Sequence, residues 1–207
     1  GAEVLDGARL VVVASMVDGA REPAWDDVRG YGVLASVTDP ASRARAGVLL
    51  GALDARLRAL ASSDSARADL RLGAMRASVD ASRALGVRPA IVTLEAFARE
   101  LVEMGDADAA GVCREALEHP GVETLAGGRL GVGGLLCRSL IGGGDDRGAL
   151  ELLVGLASSM PEPEAATAER FWEVWTLTLE TMWRAEPARR DEVRGHVTRL
   201  GLIDASL

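Results

Sequence analysis

FARELVEMGDADAA at residues 97–110 and LCRSLIGGGDDRGA at residues 136–149 read as two versions of one unit. Phe97-Ala98, Leu101, Gly105-Asp106 and Ala110 recur as Leu136-Cys137, Leu140, Gly144-Asp145 and Ala149, an offset of 39 residues from Gly105 to Gly144. A period in this range, with a small residue beside a large apolar one, is that of stacked helical hairpins. One hairpin cannot bury its apolar face alone, so neighbours stack and leave a groove or surface for a partner.

Working outward, the punctuation is helix-start and helix-stop chemistry. Pro23, Pro40, Pro89 and Pro187 stand where a first-turn proline is tolerated, because its missing N–H would go unpaired anyway. Asp64, Asp106 and Asp145 stand where a capping side chain accepts orphan N–H groups. Gly86, Gly105, Gly144 and Gly201 follow periodic segments, as left-handed terminators do. These marks predict ten helices over 3–18, 23–37, 40–61, 65–85, 89–104, 106–119, 122–141, 145–159, 164–184 and 187–200. In the third, Ala46, Leu49, Leu50, Leu53, Leu57 and Leu60 form one apolar stripe, with Arg43, Arg45, Asp54, Arg56 and Arg58 mostly off it.

Composition agrees with an all-α fold. Hydrophobic residues are 48% and charged residues 26% of 207, enough for a sizeable core and inconsistent with disorder. Aromatics are only 3%, so Leu, Val and Ala must fill that core. Few segments alternate as strands do. No linker or low-complexity run divides the chain, so residues 1–207 are expected to form a single helical-repeat domain, one that a longer protein could carry.

Charge and missing residue types exclude several functions. The net charge of −8 disfavours nucleic acid, which needs a basic face. Arg184, Arg189, Arg190, Arg194 and Arg199 cluster, but Glu186, Asp191 and Glu192 interrupt them, as on a solvated helix. Lys, Asn and Gln are absent and Arg supplies all 23 basic residues, a pattern that codon bias in a GC-rich genome produces. Schiff-base and P-loop lysines are thereby excluded, with amide-dependent oxyanion holes and N-glycosylation. No run approaches a membrane span; Leu10–Val17 is far too short. A cytoplasmic protein without membrane attachment is expected, although the start at Gly1 is that of a processed or trimmed chain and leaves a removed signal peptide open.

The residues around the repeat resemble the tetratricopeptide-repeat family. Leu136-Cys137, Leu140, Gly144-Asp145, Ala149, Leu153 and Pro161 look like one degenerate copy of its helix-turn-helix pattern, and the residues from Phe97 to Ala110 like a second. The spacing is 39 rather than the usual 34, Leu117 and Leu156 replace small residues, and Val122 replaces the closing proline. The resemblance implies an α-solenoid of antiparallel hairpins that binds protein or peptide partners. It implies close helix crossings at Ala98, Cys137, Ala110 and Ala149, with Gly-Asp turns between helices. The family's carboxylate clamp of Lys and Asn is excluded here by composition, though Arg can make bidentate contacts to a carboxylate.

Catalytic constellations find little support. Cys113 and Cys137 match no metal or redox spacing and read as buried small residues. His119 ends a helix before Pro120; with Glu118 and Cys113 it falls short of the convergent ligands a metal requires. His196 reads as a surface residue, no serine lies in a nucleophile elbow, and acidic pairs such as Asp26-Asp27 and Asp145-Asp146 mark helix starts. The glycines from Gly127 to Gly144 are read as close helix packing or a mobile loop. Gly131-Val132-Gly133-Gly134 departs from a dinucleotide fingerprint at Leu136 and follows no strand.

The most distinctive side chains are Phe171, Trp172, Trp175, Leu179, Met182 and Trp183, on one wide arc of helix 164–184. Core filling is one reading; the other is a partner or self-association surface, since Trp is enriched at interface hot spots. The expected function is a non-enzymatic protein- or peptide-binding scaffold, without cofactor or metal, with Phe171, Trp172, Trp175 and Trp183 as candidate binding residues and a homo-oligomer as a further possibility. The alternative is a compact all-helical small-ligand-binding or catalytic domain with a pocket near the Gly-rich stretch 127–144.

Overall fold

The computed structural model describes residues 2–19, 22–58 and 67–158, with positions 188 and 191. Its regular elements are helical throughout: α1 (Ala2–Asp18), α2 (Trp25–Ala35), α3 (Pro40–Arg58), α4 (Ala68–Leu85), α5 (Ile91–Met104), α6 (Ala109–Leu117), α7 (Gly128–Gly142) and α8 (Asp146–Ser158). A short 3-10 helix, Val122–Thr124, precedes α7. No strand occurs among the described residues, and none of their helices is long and apolar enough to cross a membrane. The sequence-predicted helices 164–184 and 187–200 lie outside the described residues.

The helix ends follow local chemistry closely. Gly86, Gly105 and Gly144 have φ of 71°, 67° and 79°, the left-handed region that glycine enters without a Cβ clash. Each closes the same pair of bonds. The Gly105 N–H donates to the Val102 carbonyl and the Asp106 N–H to Leu101, at 3.1 and 2.9 Å. In the second copy Gly144 donates to Ile141 and Asp145 to Leu140, at 3.0 and 2.8 Å. The Gly-Asp pairs of the repeat are thus two copies of one Schellman turn.

One helix departs from expectation. The stretch 122–141 is not continuous: Leu125 is extended at ψ 148°, and Gly128 has φ 50° before α7 begins. Glycines at 121, 127 and 128 weaken the helix locally, and the chain turns there instead of propagating.

The chain divides into two compact units between Phe97 and Ala98, within α5. In the first, hairpin α1–α2 meets hairpin α3–α4 with like beside like: α1 packs on α3 and α2 on α4. Leu10, Val13, Tyr31, Leu34, Leu50 and Leu53 form the centre of its core. The stripe of α3 behaves as read, with Ala46, Leu50 and Leu53 buried and Leu49 half-buried. Arg76 lies 5.9 Å above the Phe97 ring, a cation–π contact. In the second unit, α7 packs against both α6 and α8, around buried Cys137 and Ala149.

Candidate functional site

Phe171, Trp172, Trp175 and Trp183 lie outside the described residues, as do His196 and the C-terminal arginine cluster. The described tryptophan, Trp25, opens α2 and lays its ring on the backbone of Gly73 in α4; a methyl group at Gly73 would lie 2.8 Å from it. Trp25 remains half open to solvent.

Around the Gly-rich stretch, the chain is committed to helix and turn. Gly133 and Gly134 are buried inside α7. Arg129 donates from Nη1 to the Leu117 carbonyl at 3.1 Å and from Nε to Glu123 Oε1 at 3.1 Å, tying the end of α6 to the start of α7. The His119 Nδ1 accepts the Gly121 N–H at 2.9 Å, so that nitrogen serves the turn. Cys113 and Cys137 are buried free thiols, and burial pushes each up to about 12; the nearby Cys113 adds to the rise at Cys137. The Cys137 Sγ points at the Ala149 carbonyl, 3.5 Å away. Among the described residues, no three His, Cys, Asp or Glu side chains converge as metal ligands.

The repeat's close crossings are partly where the resemblance places them. Ala98, Cys137 and Ala149 are fully buried. Ala110 is only half-buried, and its neighbour Ala109 takes the inner position. The reason is the helix start. Asp145 caps α8 directly, its Oδ1 accepting the Gly148 N–H at 2.9 Å. Asp106 instead accepts the Asp108 N–H at 2.9 Å and adds a turn before α6, which shifts the helix face by one residue.

Three buried carboxylates in the first unit carry polar chemistry that the sequence reading missed or took only as helix-start signals. Asp6 Oδ2 accepts the N–H groups of Thr38 and Asp39 at 2.9 and 2.8 Å, and Asp6 Oδ1 accepts from Arg9 at 2.8 Å. Those backbone donors, with Asp39 first, hold the Asp6 carboxyl at about 2. Asp27, read as a helix-start residue, does accept the Ala24 N–H at 2.7 Å; it also pairs with Arg56 at 3.4 Å. Arg56 in turn donates to the Gly19 carbonyl at 2.7 Å. Asp54, expected mostly off the apolar stripe of α3, is buried because the Tyr31 hydroxyl donates to it at 2.7 Å. Each acid ties one element to another, which is structural work.

Among the described residues, exposed large apolar residues are most numerous on α1, and one lies on α3. Val4, Leu5, Val11 and Val12 of α1 and Val48 of α3 are exposed although large and apolar. Compared with protein-family models, curated proteins and solved structures, the chain matches none.

Proposed function

We propose that the chain is a non-enzymatic scaffold of stacked helical hairpins, tetratricopeptide-like in plan, that binds a protein or peptide partner. The observation that carries this reading is the like-with-like packing of α1 on α3 and α2 on α4. Stacked hairpins pack in that way, and the twin Schellman turns at Gly105 and Gly144 add support for a repeated unit. Phe171, Trp172, Trp175 and Trp183 are the proposed anchors, because sequence spacing gathers them on one wide helical arc. Affinity would come from those aromatics and specificity from charged neighbours. The alternative, a ligand pocket near residues 127–144, loses ground because Cys113 and Cys137 are buried and one His119 nitrogen is already engaged.

The test is affinity capture from lysate, identification of the retained protein, and calorimetry with that protein purified. Trp172→Ala or Trp183→Ala should weaken binding at least about tenfold, the scale of a hot-spot truncation. A partner bound equally well by both variants, or no partner in repeated captures, overturns the reading.

A further inference from the structure

The connector between α6 and α7 is pinned by side chains of two different kinds. The Arg129 guanidinium binds the Leu117 carbonyl and the Glu123 carboxylate, both at 3.1 Å. The other pin is a ring nitrogen: the Gly121 N–H donates to Nδ1 of half-buried His119, 2.9 Å away. His119 directly follows Glu118, the C-cap of α6, and its own N–H donates to the Ala116 carbonyl at 3.3 Å. Backbone and ring of this one residue thus end α6 and start the turn that leads away from it.

A ring nitrogen accepts a hydrogen bond only while it carries no proton, so the geometry puts the ring proton on Nε2. A second proton, taken from water, goes to Nδ1 and turns the acceptor into a donor. Two N–H groups then face each other across 2.9 Å, and the turn must open there. Histidine is the residue type that makes this change between about pH 5 and about pH 8; arginine is not.

Each form of the ring has something to hold. The bare ring accepts the Gly121 N–H, and the cation is favoured at the negative end of the α6 dipole. The charged groups on the elements that meet here are Arg114, Glu115 and Glu118 of α6 and its cap, Glu123 of the short helix, and Arg129 of α7. Glu123 and Arg129 are engaged with each other, and Glu115 also has a partner. The latch sits at a turn that apolar spacing does not specify: helical spacing runs on through 122–141, yet Leu125 is extended and Gly128 has φ 50°.

We propose that His119 is a proton-sensitive latch on the α6–α7 connector, closed while Nδ1 accepts the Gly121 N–H and released when Nδ1 is protonated. It operates whether or not a partner binds the chain, and so stands apart from the scaffold reading.

The test is nuclear magnetic resonance on the full, nitrogen-15-labelled chain between about pH 8 and about pH 5. At the upper end His119 should carry its proton on Nε2, with a scalar coupling across the hydrogen bond from the Gly121 N–H to Nδ1. At the lower end that coupling should be gone. Protection of the Gly121 amide from exchange, taken relative to an unstructured peptide at the same pH, should fall about fivefold, the worth of one hydrogen bond. In His119→Asn the side-chain oxygen can accept the same N–H two residues on and does not titrate, so protection should be equal at both ends. His119→Ala should show the low value throughout, and His196→Ala should respond as the unaltered chain does. Circular dichroism checks that the variants keep their helix content, while the proton position and the coupling need only the unaltered chain. A proton on Nδ1 at the upper end, Gly121 protection indifferent to pH, or the same fall in His119→Asn overturns the proposal.

Discussion

The Tyr31 hydroxyl donates a 2.7 Å hydrogen bond to Asp54 Oδ1, joining α2 to α3 across 23 residues of chain, with both partners buried. The carboxylate has left water and depends on this donor. Tyr31→Phe removes the donor and keeps the ring, so it should cost about 1–3 kcal/mol, the penalty for leaving a buried polar group unsatisfied. Tyr31→Phe combined with Asp54→Leu should cost less than the two single changes added together. Urea denaturation of the four proteins measures this; strict additivity would sink it.

The same pair makes stability fall in alkali. Burial, then the Asp54 charge, raises the Tyr31 phenol well above its ordinary value of 10.0. The native state keeps this proton after the unfolded chain has lost it. The contribution is therefore whole below about pH 10 and declines as pH rises beyond it. The chain has a single tyrosine, so tyrosinate absorbance should appear together with unfolding and not before it.

Asp6 gives the opposite dependence. Its carboxyl is held at about 2, against 3.8, by the N–H groups of Asp39 and Thr38. The stabilisation is present above 3.8 and disappears as pH falls toward about 2. Asp6→Asn should lower the melting temperature at neutral pH and flatten its slope in acid. Thermal melts across that window, equally steep in both proteins, would refute the assignment.

Gly73 and Gly111 separate close packing from simple helix propensity. A methyl group at Gly73 meets the Trp25 ring at 2.8 Å, so Gly73→Ala should destabilise by about 1–3 kcal/mol through overpacking. Gly111, within α6, has nothing within 4 Å, and Gly111→Ala should stabilise by up to about 1 kcal/mol. Denaturation midpoints of opposite sign are expected.

Cys113 and Cys137 should behave as core atoms. With both thiols pushed up to about 12 by burial, almost no thiolate exists at neutral pH in the native state. Labelling by a thiol reagent should proceed only as fast as the fold opens, and accelerate sharply in denaturant. Rapid labelling of the native protein would contradict this.

The helical class was legible because its signals are local. A glycine that must enter the left-handed region, or an aspartate that caps an N–H three residues on, acts within one turn of backbone. Gly86, Gly105, Gly144 and Asp145 accordingly end and start helices where the residues alone placed those boundaries. The break at Leu125–Gly128 was missed because apolar spacing runs on through it, while the glycines that turn the chain also read as tolerable helix interior. The candidate aromatic stripe from Phe171 to Trp183 rests on spacing alone.

The sequence by itself determined that the chain is helical, where most of its described helices stop, and which stripe of α3 faces inward. Only the tertiary structure decided what Asp6, Asp27 and Asp54 do. Asp6 finds its donors 32 and 33 residues away, and Asp54 finds Tyr31 at 23. Read locally, an aspartate inside a helix belongs at the surface. It is buried when folding brings a donor to it. The exposure of the Val-rich face of α1 has the same origin. An apolar stripe announces that something will cover it, and packing alone decides which of two apolar arcs meets the core.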